Sequence, residues 1–248
     1  NMWEQLTRVC GSTNDRGIAN AVWAMGSLGA QHHGSPRPVL DTLVRGASRA
    51  ARTCSAWSLS NIVWGLSKMG CEWSELGDEL REAILSNVAK VMEKEVNSVD
   101  VSVIVWSMGN MEAPMYSLPD FFTNAVLGGM LRNIQSMGAP ELSRMIWGMS
   151  RSGMYWDMLP PELRWNLNVA LRRVGDSLNA QDIANCAYGL ALLSFDAQNP
   201  SDPAFRGAHE VLLSAVRRAS RDLTGCPAEL EQLRIFAQYV RVRPELLA

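Results

Sequence analysis

Asparagine and arginine recur at one register of this chain: Asn20, Asn61, Arg144 and Asn185 each stand three residues before an aromatic side chain, and Val103 holds the same register once. Four residues after the same aromatics come Ser27, Lys68, Asn110, Arg151 and Leu192. Amide and guanidinium groups can hydrogen-bond the edges of nucleobases, and modular helical readers of RNA present two or three such side chains per repeat. The two registers lie seven residues apart and so share one face of a helix. The base-facing candidates are therefore Asn20, Asn61, Lys68, Asn110, Arg144, Arg151 and Asn185. The same residue types also bond their own backbone or a neighbouring helix, and both readings stay open at this point.

A second register carries cations. Arg49, Lys90, Arg132 and Arg173 each fall 26 residues after an aromatic. In the next unit Ser214 holds that place, and the longer loop FDAQNPSDP shifts the cation to Arg217 or Arg218. Arg52, Lys94, Arg172 and Arg221 reinforce the row. One cation per unit could track phosphates along a strand. Cations near a helix C-terminus also complement its dipole, at about 0.3–1 kcal/mol each, and the two roles are compatible. The acidic stretch of Glu72, Glu75, Asp78, Glu79 and Glu82 reads as a solvated face that a polyanion would avoid.

The elements that must position these side chains follow from a repeat. Trp23, Trp64, Trp106, Trp147 and Tyr188 succeed one another at steps of 41, 42, 41 and 41 residues, a period typical of solenoids. Nine residues before each stands Asn14, Ser55, Asn97, Gly138 or Asn179, all favoured helix N-caps. Six before stand Gly17, Ser58, Asp100, Glu141 and Asp182, whose acids suit a capping box and the helix dipole. Six after stand Gly29, Gly70, Glu112, Gly153 and Ser194, the glycines reading as left-handed helix stops. Between these limits lies a helix of about 14 residues. Its registers −4 and +1 are always small, which lets neighbouring copies stack closely with the aromatic as a bulky packing spacer.

A second amphipathic helix follows each first one, usually with proline at or near its start, as in LPDFFTNAVLGGMLRNI and LPPELRWNLNVALRR. Two helices in about 41 residues cannot bury their apolar faces alone, so the units must stack. The expectation is an all-α fold, a right-handed α-solenoid of two-helix repeats forming one domain over residues 1–248. The units run approximately 10–54, 55–96, 97–137, 138–178 and 179–224, with a partial or capping unit at 225–248.

Composition narrows the possible functions. A net charge of −2 argues against a histone-like polycation without excluding a local basic strip. Five cysteines without a C-x-x-C pair suggest reduced, buried thiols in a protein that is not secreted. No apolar run is long enough to span a bilayer, and the opening NMWEQL reads as neither a signal peptide nor a transit segment. Catalysis is not expected: His32-His33 lacks a third ligand, His209 is alone, Cys54 and Cys71 have no evident base, and no phosphate-binding or nucleophile-elbow motif occurs. Neither cofactor nor metal is expected. Trp57, Trp73, Trp156 and Trp165 could stack bases but suit packing better, and the 13 methionines suit the core.

The phrases SLSNIVWGLSKMG and DIANCAYGLALL, each followed by a second helix, resemble the octotricopeptide-repeat family and the helical repeats found upstream of RAP domains in organellar proteins. Pro160-Pro161-Glu162-Leu163-Arg164-Trp165 resembles the family's PPPEW motif, and ELEQLRIFAQYVRV looks like the helix that often precedes a RAP domain. The resemblance covers nearly the whole chain. It implies a mitochondrial or chloroplast protein that binds single-stranded or ribosomal RNA in transcript maturation, stability or translation. The alternative is a scaffold subunit of an organellar assembly such as a mitochondrial ribosome, binding mainly protein.

Overall fold

The computed structural model describes residues 13–35, 37–94, 96–194, 202–219 and 227–242. Arg221, Cys10, Cys226 and residues 195–201 of the long loop lie outside them. Eleven α-helices are described: α1 (Asp15–Ser27), α2 (Arg37–Ala51), α3 (Ala56–Lys68), α4 (Asp78–Glu93), α5 (Ser98–Asn110), α6 (Asp120–Asn133), α7 (Ala139–Arg151), α8 (Pro161–Val174), α9 (Ala180–Leu193), α10 (Pro203–Ala219) and α11 (Pro227–Val242). The described residues contain no strand.

The first helix of each unit starts where its cap dictates. Asn14, Ser55, Asn97, Gly138 and Asn179 are the N-caps of α1, α3, α5, α7 and α9. Their side chains accept from Gly17, Ser58, Asp100 and Asp182 backbone N–H groups at 2.9, 3.3, 2.8 and 2.9 Å. Gly138 has no side chain, and there the Glu141 carboxylate takes the Gly138 N–H at 3.0 Å instead. The stops are equally local: Gly29, Gly70 and Gly153 have φ of 73°, 75° and 73°, and Glu112 enters the same left-handed region at 56°.

The units pack in two layers, with odd-numbered helices against odd and even against even in chain order. Glycine allows the odd layer to close up. A Cβ on Gly65 would lie 2.4 Å from the Val22 carbonyl oxygen, and one on Gly148 would lie 2.4 Å from that of Val105. These helices therefore meet backbone to backbone, and the small registers have the packing role that their spacing suggests. Registers −5, −4, −1 and +2 of the odd helices are buried throughout, beginning with Ile18, Ala19, Val22 and Met25. A backbone stitch adds to the packing: the N–H groups of His32, Trp73 and Met115, at the turns leading into the even helices, donate to the Met69, Met111 and Ser152 carbonyls of the next unit at 2.8, 2.7 and 2.9 Å.

Candidate nucleic-acid interface

One stripe of the odd layer stays open to solvent. Register −7 holds Arg16, Trp57, Val99, Pro140 and Gln181, all exposed. Registers −3, 0 and +4 beside it are half-buried or exposed in every unit. The central aromatics lie in this stripe, half-buried or exposed, rather than in the core. Trp23 is 46% exposed, and Trp64, Trp106, Trp147 and Tyr188 are half-buried.

The indoles are arranged in pairs. Trp23 and Trp64 stack with centroids 5.8 Å apart and planes 25° apart, and Trp106 and Trp147 repeat this at 5.8 Å and 27°. Lys68 Nζ sits 6.0 Å from the Trp64 centroid, and the Arg151 guanidinium carbon 6.0 Å from that of Trp147. Farther along the stripe the Arg16 guanidinium lies 5.2 Å from Trp57. Cations at such distances are attracted to the ring face. The stripe thus interleaves aromatic rings with positive charge.

Neighbours limit some of the expected base-facing side chains. Asn20 is exposed and Asn61 half-buried, and neither side chain hydrogen-bonds within the described residues. Asn110 instead donates to the Ser67 carbonyl at 2.9 Å, bridging α5 to α3. Asn185 accepts from Gln232 of α11 at 3.3 Å. Arg144 donates to the Pro140 carbonyl at 3.0 Å and pairs with Glu141 at 3.2 Å, while Arg151 pairs with Glu112.

Several of the even-layer cations are engaged by the protein itself. Arg132 donates to the Met92 carbonyl near the end of α4, and Arg173 to the Met137 carbonyl at 2.6 Å, just past α6. Arg218 donates to the Gly175 carbonyl at the end of α8 at 2.6 Å and pairs with Asp176 at 3.0 Å. Each reaches back one unit, Arg132 and Arg218 to carbonyls that end the preceding even helix and Arg173 to the loop beyond it. Of the two residues expected to carry the shifted cation, Arg218 takes this place, and Arg217 beside it is exposed. These three contacts give the cations a structural role beside the phosphate role expected of them, and all three residues remain exposed. Arg49 donates to the Thr13 carbonyl at 3.4 Å. Arg52 pairs with Glu79 and Arg172 with Glu210, each at 3.1 Å. Lys90 and Lys94 are exposed and make no ion pair among the described residues.

The remaining candidates separate by burial. Trp73 and Trp156 are 5% and 1% exposed and belong to the core, with Trp156 donating to Asp202 at 3.1 Å. Trp57 and Trp165 are exposed. His33 Nε2 lies 3.1 Å from Glu75. The Glu72 N–H, followed by His33 and His32, holds the Glu75 carboxyl below its usual range. Burial raises the Cys54 thiol to about 11 and the Cys71 thiol to about 12, and pushes Cys186 up as well. Such thiols are poor nucleophiles at neutral pH.

Fold and stripe together define a two-layer helical-repeat protein with an aromatic–cationic face. No protein-family model matches the chain, and no curated protein matches it.

Proposed function

We propose that the chain binds single-stranded or ribosomal RNA along the open stripe of its odd-numbered helices. The carrying observation is the pairing of Trp23 with Trp64 and of Trp106 with Trp147, each pair flanked by Lys68 or Arg151. Every base has a π-face, and aromatic platforms beside cations hold single strands with little sequence preference. In this reading the units form a right-handed superhelix with a period of about 41 residues and the stripe on its concave side. The protein acts in a mitochondrion or chloroplast, in transcript maturation, stability or translation, a setting that rests on the octotricopeptide-repeat resemblance alone. No group is catalytic, and no cofactor, small-molecule substrate or membrane insertion is required. Among the described residues no helix is long and apolar enough to cross a membrane.

A titration with random single-stranded RNA across a salt series tests the reading. Affinity should fall linearly on a log–log plot with a slope equivalent to several phosphate contacts. Absence of binding at about 50 mM salt would overturn it.

A second reading, a scaffold subunit of an organellar assembly that binds mainly protein, draws on a separate observation. Arg132, Arg173 and Arg218 are engaged by carbonyls, and the chain carries a net charge of −2. Binding to a protein partner that persists without RNA and depends little on salt would favour the scaffold.

A further inference from the structure

The odd-layer junctions are of two kinds. Between α1 and α3, and between α5 and α7, glycine meets glycine: a Cβ on Gly26 would lie 2.8 Å from the Gly65 carbonyl oxygen, and one on Gly109 2.5 Å from that of Gly148. Both junctions carry a stacked tryptophan pair. At the α3–α5 junction the corresponding registers hold Ser67 and Ser107, and no ring contact between Trp64 and Trp106 accompanies them among the described residues. That junction is held instead by Ser60 bonding Asp100 at 2.7 Å and by Asn110 on the Ser67 carbonyl. Ser143 bonds Asp182 at 2.7 Å in the same way between α7 and α9.

The alternation is written in the residues. Following their tryptophans, the first and third units read Ala24-Met25-Gly26-Ser27 and Ser107-Met108-Gly109-Asn110, whereas the second and fourth read Gly65-Leu66-Ser67-Lys68 and Gly148-Met149-Ser150-Arg151. A small polar residue therefore ends the first helix of each pair and a cation the second. The underlying period of this face is two units, 83 residues from Trp23 to Trp106 and from Trp64 to Trp147.

From this we infer that the RNA-binding module is the unit pair: Trp23, Trp64 and Lys68 form one platform for a nucleobase and its phosphate, and Trp106, Trp147 and Arg151 form a second. The inference rests on the RNA reading above and sets its stoichiometry at one platform per two repeats. Helices pack about 8–10 Å apart, so the platforms stand about 16–20 Å from each other. A stacked strand advances about 3.4 Å per nucleotide, so about five or six steps, or six to seven nucleotides, bridge them. A shorter strand engages one platform, and a bridging strand gains the effective concentration of a tethered second contact.

The test titrates the full chain with oligouridylates of increasing length. Affinity should rise in one step of about tenfold or more as length passes about six or seven nucleotides. Trp64→Leu with Lys68→Ala should remove that step, and Trp147→Leu with Arg151→Ala should remove it equally, while Trp64→Tyr retains it. Should a tryptophan variant fail to fold by circular dichroism, Lys68→Ala and Arg151→Ala alone carry the comparison, each weakening the longer strands several-fold. A smooth gain with each added nucleotide overturns the inference and leaves the RNA reading intact, whereas platform variants that bind as the parent does overturn the inference and take the RNA off this stripe. Failure of the parent chain to bind any oligouridylate or long RNA overturns both.

Discussion

Ser143 Oγ donates a 2.7 Å hydrogen bond to Oδ1 of Asp182, the carboxylate that also accepts from the Asn179 N–H to close the start of α9. Ser60 makes the same bond to Asp100 at 2.7 Å. Both carboxylates are buried and belong to the next unit, so each serine hydroxyl helps to satisfy a charge that water cannot reach. Ser143→Ala and Ser60→Ala should each lower stability by about 1–3 kcal/mol in urea unfolding. Ser102 bonds only the Val99 carbonyl of its own helix, and Ser102→Ala should be nearly neutral. An equal loss at Ser102 would show that the bond between units is not the cause.

Two glycine-to-alanine changes should have opposite signs. Alanine is intrinsically better in a helix than glycine by about 1 kcal/mol. At Gly148, however, the added methyl would lie 2.4 Å from the Val105 carbonyl oxygen, so Gly148→Ala should destabilise by about 1–3 kcal/mol or more. At Gly128 it would meet only the tip of Arg132 at 3.3 Å, and Gly128→Ala should raise stability by up to about 1 kcal/mol. Thermal unfolding of the two variants checks the pair.

Arg173→Ala should cost about 1–3 kcal/mol, because it frees the Met137 carbonyl just beyond α6 from a charged donor. Lys90→Ala, at the same register in an earlier unit but with no carbonyl partner among the described residues, should stay within about 0.5 kcal/mol of the parent. Equal losses in chemical denaturation would contradict the capping role.

The thiols give a pH signature. Cys54 and Cys71 ionise near 9 when exposed and near about 11 and about 12 when folded. Because the folded values are raised, this contribution to stability is complete below about 9 and disappears as pH rises through 11 to 12. Denaturation midpoints should therefore fall across that alkaline window, and Cys54→Ser with Cys71→Ser should flatten the fall. Alkylation at pH 8 should be slow in the folded chain and fast once urea unfolds it. Rapid labelling of the folded chain would contradict the burial.

The helix boundaries were legible because caps act over three or four residues: all five N-cap registers, from Asn14 to Asn179, start helices as read, and Gly29, Gly70 and Gly153 stop them. The close approach at Gly65 and Gly148 was likewise visible as a small register. The exposure of the tryptophans does not follow from residue type, since tryptophan is highly buried on average. Their place was nonetheless recoverable: at about 100° per residue, registers −7, −3, 0 and +4 fall within one arc of about 60°, and three of those four are mostly polar or exposed. The doublet of Gly-x-Ser-Lys and Gly-x-Ser-Arg against x-x-Gly-Ser and x-x-Gly-Asn was also present and went unread. The destination of Arg132, Arg173 and Arg218 was not recoverable, since their carbonyl partners lie about 40 residues upstream and meet them only through stacking.

The backward reach of these arginines gives the array a polarity. Removing a unit from the N-terminal side strips an arginine of its carbonyl partner, and water then solvates the guanidinium at little cost. Removing a unit from the C-terminal side takes away the donor and leaves a carbonyl at or just beyond the end of the preceding even helix unmet. At these three contacts the two ends of the array are therefore unequal: loss from the C-terminal side leaves an acceptor unmet, and loss from the N-terminal side frees only a donor.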